Sequence, residues 1–122
     1  MLDVRTDRVI GAAIEVHRAL GPGLLESAYA AALALELGTR GVSYAREVPV
    51  SIAYKGQALG VCYRIDFLVS ESVVVEVKSV DTIHPIHVAQ TLTYLRLGRY
   101  AVALLLNFNV PSLRQGITRL SL

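Results

Sequence analysis

Cysteine is almost absent from these 122 residues, lysine is scarce, and no run of uncharged apolar residues is long. The single thiol, Cys62, cannot form an internal disulfide, so no disulfide framework holds the fold, and the chain suits a reducing, cytoplasmic setting. Its place in an alternating segment predicts packing rather than reactivity. Although 53% of the residues are hydrophobic, charges interrupt every stretch short of the roughly 18 uncharged apolar residues that a membrane span needs. The start, Met1-Leu2-Asp3-Val4-Arg5-Thr6-Asp7, carries acids and lacks the apolar core of a signal peptide. No repeat, low-complexity tract or linker divides the chain, and its length suits one domain, residues 1–122, able to bury about two thirds of its unfolded surface. Basic charge is not concentrated either. The net charge is +2 and the arginines are scattered from Arg5 to Arg119, without the stripe by which proteins grip long duplex DNA. Nucleic-acid binding, if it occurs, is then local, made by a dimer, or modest in affinity.

The chain does have a charged pair inside an apolar run. Ser72-Val73-Val74-Val75-Glu76-Val77-Lys78-Ser79 reads as a strand in which Glu76 and Lys78, two residues apart, share a face. Only two lysines stand against ten arginines, and one of them lies where a buried valine would be the default. Charges in such a run cost several kcal/mol unless something pairs them. The preceding segment, Val61 to Val69, alternates, which places Arg64, Asp66 and Leu68 on one face and Tyr63, Ile65, Phe67 and Val69 on the other. Ser70-Glu71-Ser72 has the length and composition of a hairpin loop. If Val69 pairs with Val73, Asp66 falls opposite Glu76 and Arg64 opposite Lys78. Opposed Cβ atoms lie roughly 4.5 to 5.5 Å apart, and like charges there repel. A hard divalent ion such as Mg²⁺, held by one or two carboxylates with water and substrate phosphate completing its shell, would relieve the pair. The alternative is a sheet-edge Asp66 and a Glu76–Lys78 salt bridge.

Elsewhere the periodicity is readable. Val9, Ile10, Ala13, Ile14 and Val16 or His17 predict an amphipathic helix from about Thr6 to Leu20 with Thr6 or Asp7 as N-cap. Gly21-Pro22-Gly23 breaks it, and a second helix runs from about Leu24 to Leu37 or Arg40. Glu26 in its first turn complements the helix dipole, and Tyr29 lies one turn on. Residues 44–54 predict a first strand, turned by Lys55-Gly56-Gln57 into the strand that holds Asp66, so three strands form an antiparallel meander. A third helix runs from about Pro85 to Leu97, with Gln90 and Tyr94 on one face and Val88, Leu92 and Leu95 on the next. The apolar run Tyr100 to Leu106 predicts a strand buried on both faces and reached by a helical crossover, and residues 116–122 add a short edge strand. His17 reads as a core histidine. His17, His84 and His87 together would make a transition-metal site, a weaker reading.

This order of parts resembles the PD-(D/E)XK nuclease superfamily: Glu26 on a helix, a meander bearing Asp66, then Glu76-Val77-Lys78, then Gln90-x-x-x-Tyr94 on a helix, then Leu106-Asn107-Phe108 closing an apolar strand. More narrowly, Gly23-x-x-Glu26-x-x-Tyr29 resembles the motif of the small bacterial GxxExxY proteins. Ile65 stands where the superfamily's nominal motif has proline. The resemblance implies an α/β (α+β mixed) restriction-endonuclease-like core with N-terminal helices packed on a mixed sheet. It also implies a metal-dependent nuclease that hydrolyses DNA or RNA phosphodiesters with Mg²⁺ (or Mn²⁺). Asp66 and Glu76 would bind the metal, with the Val77 carbonyl and Glu26 as further ligands. Lys78 would assist the attacking water, Gln90 would line the site, and Tyr94, Tyr29 and Arg64 would contact substrate. A homodimer, giving two sites for two strands, is compatible with it. The rival expectation is an inactive nuclease-like module that binds nucleic acid or a protein partner.

Overall fold

In the computed structural model, which describes residues 3–122, three helices and five strands follow the order α1 (Val4–Leu20), α2 (Glu26–Thr39), β1 (Tyr44–Tyr54), β2 (Gln57–Val69), β3 (Val73–Lys78), α3 (Pro85–Gly98), β4 (Val102–Asn107) and β5 (Ile117–Ser121), with a 3₁₀ turn at Leu113–Gly116 before β5. Met1 and Leu2 of the acidic start lie outside the described residues. The strands form one sheet in sequence order. All neighbours are antiparallel except β3 and β4, which run parallel with Val73 beside Val102 and Lys78 beside Asn107. A parallel pair needs a crossover, and α3 supplies it. The expected mixed α/β architecture is therefore present.

The two faces of the sheet bury separate cores. Val73, Val75 and Val77 of β3 and Val102, Leu104 and Leu106 of β4 pack with Val9, Ala13, Leu33 and Leu37 of α1 and α2. On the other face, Val74 and Ala103 pack with Tyr94 and Leu95 of α3. Strands covered on both sides read as continuous apolar runs, which is why β3 and β4 stand out in the sequence. No helix among the described residues is long and apolar enough to cross a membrane.

Three local expectations are corrected. The cap of α1 is Asp3, whose carboxylate accepts the Arg5 N–H at 2.9 Å; Thr6 is instead inside the helix, buried, with its hydroxyl donating to the Asp3 carbonyl. Cys62 does not pack: it is exposed, on a stretch of the β1–β2 ribbon that extends past the core. His17 does pack as a core histidine, its Nε2 2.8 Å from the Val110 carbonyl. His87 Nδ1 accepts the His84 N–H at the start of α3, and no three metal-ligating side chains cluster among the described residues. The histidine metal site thus has no geometric support.

The alternation of β2 also fails, at one residue. Phe67 and Val69 face α1 and α2, whereas Ile65 packs with the α3 core. On β1 the same switch occurs between Tyr44, on the α1/α2 side, and Val48 and Val50, on the α3 side. The β1–β2 ladder pairs Arg46 with Phe67 and Val48 with Ile65 but leaves Glu47 and Asp66 unpaired between them. Glu47 has φ of 53°, a left-handed conformation that flips the side-chain parity of a strand as a bulge does. The single-face assignment of Arg64, Asp66 and Leu68 is therefore wrong, and Asp66 sits at the kink.

Candidate active site

β2 and β3 are paired with the expected register, Val69 against Val73, Leu68 against Val74 and Phe67 against Val75. Beyond Phe67 the ladder stops, because each strand places a carboxylate where the next backbone bond would form. Asp66 Oδ2 accepts the Val77 N–H at 2.8 Å, and Glu76 Oε1 accepts the Asp66 N–H at 3.1 Å. The strands open into a fork lined by two acids. Arg64 and Lys78, expected opposite each other, are not paired, since the strands have already separated; Arg64 is exposed on β2.

Glu76 is 5% exposed. Burial, then the neighbouring Asp66 carboxylate, pushes its pKa up to about 8; the Asp66 N–H and Lys78 oppose the rise. At neutral pH this acid is held in its uncharged form unless a cation arrives to change the balance. Lys78, half-buried at the end of β3, makes no ion pair within 4 Å among the described residues. The Glu76–Lys78 salt bridge of the simpler reading is thus not formed.

The loop and helix around the fork hold it in place. Gly23 has φ of 99°, a conformation open to glycine, and the chain it turns is tied by Tyr29. That side chain is 0% exposed, stacks on Phe108 at 4.6 Å, accepts the Leu24 N–H at 3.1 Å and donates to the Gly21 carbonyl. Tyr29 is therefore a positioning residue, which corrects its expected role as a substrate contact: a buried ring with its hydroxyl committed cannot reach a ligand. Glu26, one turn before it, is exposed and lines a cavity of about 180 Å³ with Arg46, Glu47, Asp66 and Val77. Its carboxylate lies 3.4 Å from the Ser79 N–H, while Ser79 Oγ donates to the Leu24 carbonyl at 2.6 Å. The exit of β3 is thus stitched to the entrance of α2.

A second seam lies on the β4 side. The buried amide of Asn107 accepts the Val80 N–H at 3.1 Å and donates to the Val80 carbonyl at 2.9 Å, and the Phe108 N–H donates to the Lys78 carbonyl at 2.9 Å. Gly116 packs against the Asn107 carbonyl so closely that a Cβ there would overlap it. On the opposite side of the fork, α3 brings Gln90 and Tyr94 together with Tyr63 around a cavity of about 290 Å³. Tyr94 is close enough to the acids that burial first, and then the charges of Glu76 and Asp66, push its pKa up to about 12, so its phenol remains a donor at physiological pH.

Arg46, Glu47, Ser79 and Asn107 were not expected at this site. Arg46 and Glu47 come from an exposed stretch whose positive φ leaves no mark in side-chain type. Ser79 and Asn107 act through backbone seams that only tertiary packing brings together.

Two carboxylates thus meet at a strand fork with a lysine two residues on, and a glutamate from α2 lines the cavity that reaches one of them. The chain belongs to the PD-(D/E)XK nuclease superfamily, whose model matches residues 3–120. Membership implies nuclease chemistry on nucleic acid, in a superfamily that generally depends on divalent metal. The match is at the level of the superfamily; the likeness to GxxExxY proteins rests on Gly23, Glu26 and Tyr29. No curated protein and no solved structure matches the chain significantly.

Proposed function

We propose that the protein is a metal-dependent nuclease whose reacting centre is the fork between β2 and β3. The observation that carries this reading is the pair of carboxylates on Asp66 and Glu76, each committed to the other strand's backbone and one of them pushed up to about 8. An acid buried beside a second carboxylate and kept from ionising costs stability and gains nothing in a scaffold, whereas Mg²⁺ or Mn²⁺ would let both groups ionise and coordinate. The donor set fits such an ion, being all hard oxygen. Asp66 and Glu76 would hold it. The Val77 carbonyl would join them, since within a strand the carbonyl and N–H of a residue point the same way and the Val77 N–H faces the fork. When bound, the ion would polarise the phosphate and favour ionisation of the attacking water.

The protein's own groups do the rest. Lys78, in no ion pair among the described residues, orients the water and balances charge that develops on the phosphate. Glu26 stands on the wall of the same cavity as Asp66 as a further outer ligand, and Arg46 beside it supplies a cation for the phosphate backbone. Gln90 and Tyr94 border the site from α3. A cytoplasmic setting and a homodimer with two sites for two strands belong to this same reading. The test is a panel of DNA and RNA substrates with Mg²⁺ or Mn²⁺. Cleavage should require the ion and vanish in Asp66→Ala and Lys78→Ala. Binding without cleavage under either metal would favour the rival, a nuclease-like module that only binds.

A further inference from the structure

Beside the fork, the α3 side of the sheet carries a pocket whose chemistry is unlike that of the phosphate-handling groups. Its walls are Tyr63 from β2 and Ile86, Ala89, Gln90, Thr93 and Tyr94 from α3. Tyr63 is 40% exposed and Ile86 68% exposed, so an aromatic face and an aliphatic side chain meet solvent across the opening. Tyr94 lies beneath, its ring 5.9 Å from that of Tyr63 and tilted by 48°. The Gln90 amide is half-buried and makes no hydrogen bond among the described residues, although it has both donors and an acceptor to offer. Thr93 spends its hydroxyl proton on the Ala89 carbonyl.

We propose that this pocket receives one unstacked nucleobase, and hence that the nucleic acid taken by the fork is single-stranded, or splayed apart, where it meets the carboxylates. The proposal rests on the nuclease reading and specifies its substrate. A flat aromatic wall, an apolar lid and one free amide match the face and the edge of a base, the way unpaired nucleotides are commonly read. The volume, about 290 Å³, is at the small end of ligand pockets and suits one heterocycle rather than a stacked pair. Bases inside a duplex present no face to such a wall. The dispersed arginines point the same way, because duplex binding leans on a continuous basic surface. Position agrees too: Tyr94, a wall of the pocket, packs with Ile65 and Val74, which flank the fork on β2 and β3, so the captured base would lie close to the scissile phosphate.

The test is binding of short fluorescent oligonucleotides, DNA and RNA, single-stranded, duplex, and single-stranded with an abasic position walked along the sequence, all in chelator so that nothing is cut. Single strands should bind more tightly than duplex, one abasic position should weaken them, and Tyr63→Ala should weaken them roughly tenfold or more. Tyr63→Phe, which keeps the ring, should bind as the parent does, and Leu35→Ala, exposed on α2, should change nothing. Unaltered single-strand affinity in Tyr63→Ala, tighter binding of duplex, or Tyr63-dependent capture of a protein with no affinity for oligonucleotides would each overturn the proposal. The two readings fail separately. Tyr63-dependent binding by a protein that never cuts would remove the nuclease and leave the pocket, whereas full-rate duplex cleavage by Tyr63→Ala would remove the pocket and leave the nuclease.

Discussion

The two ends of the β2–β3 hairpin are built from neighbouring residues of the same strands and obey opposite rules. At the closed end Phe67, Val69, Val73 and Val75 are fully buried, paired in register and covered by helices. At the open end, one residue further along each strand, Asp66 and Glu76 replace ladder bonds with side-chain bonds and bring two acids together. The closed end lowers the free energy of folding. The open end raises it, and the structure tolerates this because the closed end has already fixed the register. A fork of this kind locates strain where a ligand can relieve it.

Substitutions one step either side of that boundary should separate the two roles. Asp66→Ala should reduce metal-dependent cleavage by about 10³-fold or more, the order expected when charge stabilisation worth several kcal/mol is lost. Its melting transition, followed without metal above about pH 8 where Glu76 ionises, should change little, because the lost Val77 hydrogen bond is offset by relief of the Glu76 repulsion; a large loss of stability would instead place Asp66 with the closed end. The pH dependence should be the next largest effect. The folded pKa of Glu76 lies above its ordinary 4.5, at about 8, so the folded chain keeps a proton that the unfolded chain releases. Stability without metal should therefore fall as pH rises from about 4.5 to about 8, by an amount on the order of a few kcal/mol. Urea melts either side of that window should show a smaller fall in Glu76→Gln, and Mg²⁺ should stabilise the parent more at the alkaline side. Equal pH dependence in parent and variant would remove Glu76 from the argument.

Val73→Ala, at the closed end, should cost about 2 kcal/mol in stability with cleavage per folded molecule unchanged, as read by denaturant melts and active-site titration. The smallest effect belongs to Tyr29→Phe. Removing a hydroxyl bonded to Gly21 and Leu24 should cost about 1 kcal/mol and lower cleavage only modestly, since the buried ring still holds α2 against Phe108. A loss as large as that of Asp66→Ala would mean that the Gly21–Leu24 loop controls Glu26 more tightly than the packing indicates.

The closed end was legible in the sequence and the open end only partly so. Alternation, loop length and apolar runs report on burial, and burial is what fixes Val69 against Val73, the parallel placement of β4 and the crossover by α3. The acids at 66 and 76 were conspicuous for the same reason, being misplaced in an apolar setting. The parity switch at Glu47 and Asp66 was invisible, because a single left-handed φ at a glutamate has no compositional signature. The spacing of Tyr29 from Glu26 describes a helix face but not how deeply that face is buried, so its commitment to the Gly21–Leu24 loop shows only in the fold. Thr6 has the chemistry of a cap, but its hydroxyl turns back to the Asp3 carbonyl and the cap lies three residues earlier, a choice that side-chain type alone does not reveal.

Gly116 lies far along the chain from every acid, yet it abuts the main-chain carbonyl of Asn107, whose side-chain amide helps to pin the exit of β3. Even a methyl group there would press Asn107 outward, draw Val80 with it and tilt the ammonium of Lys78. Position 116 is in this sense a mechanical stop, fixing from a distance how the chain leaves β3 beside the two acids.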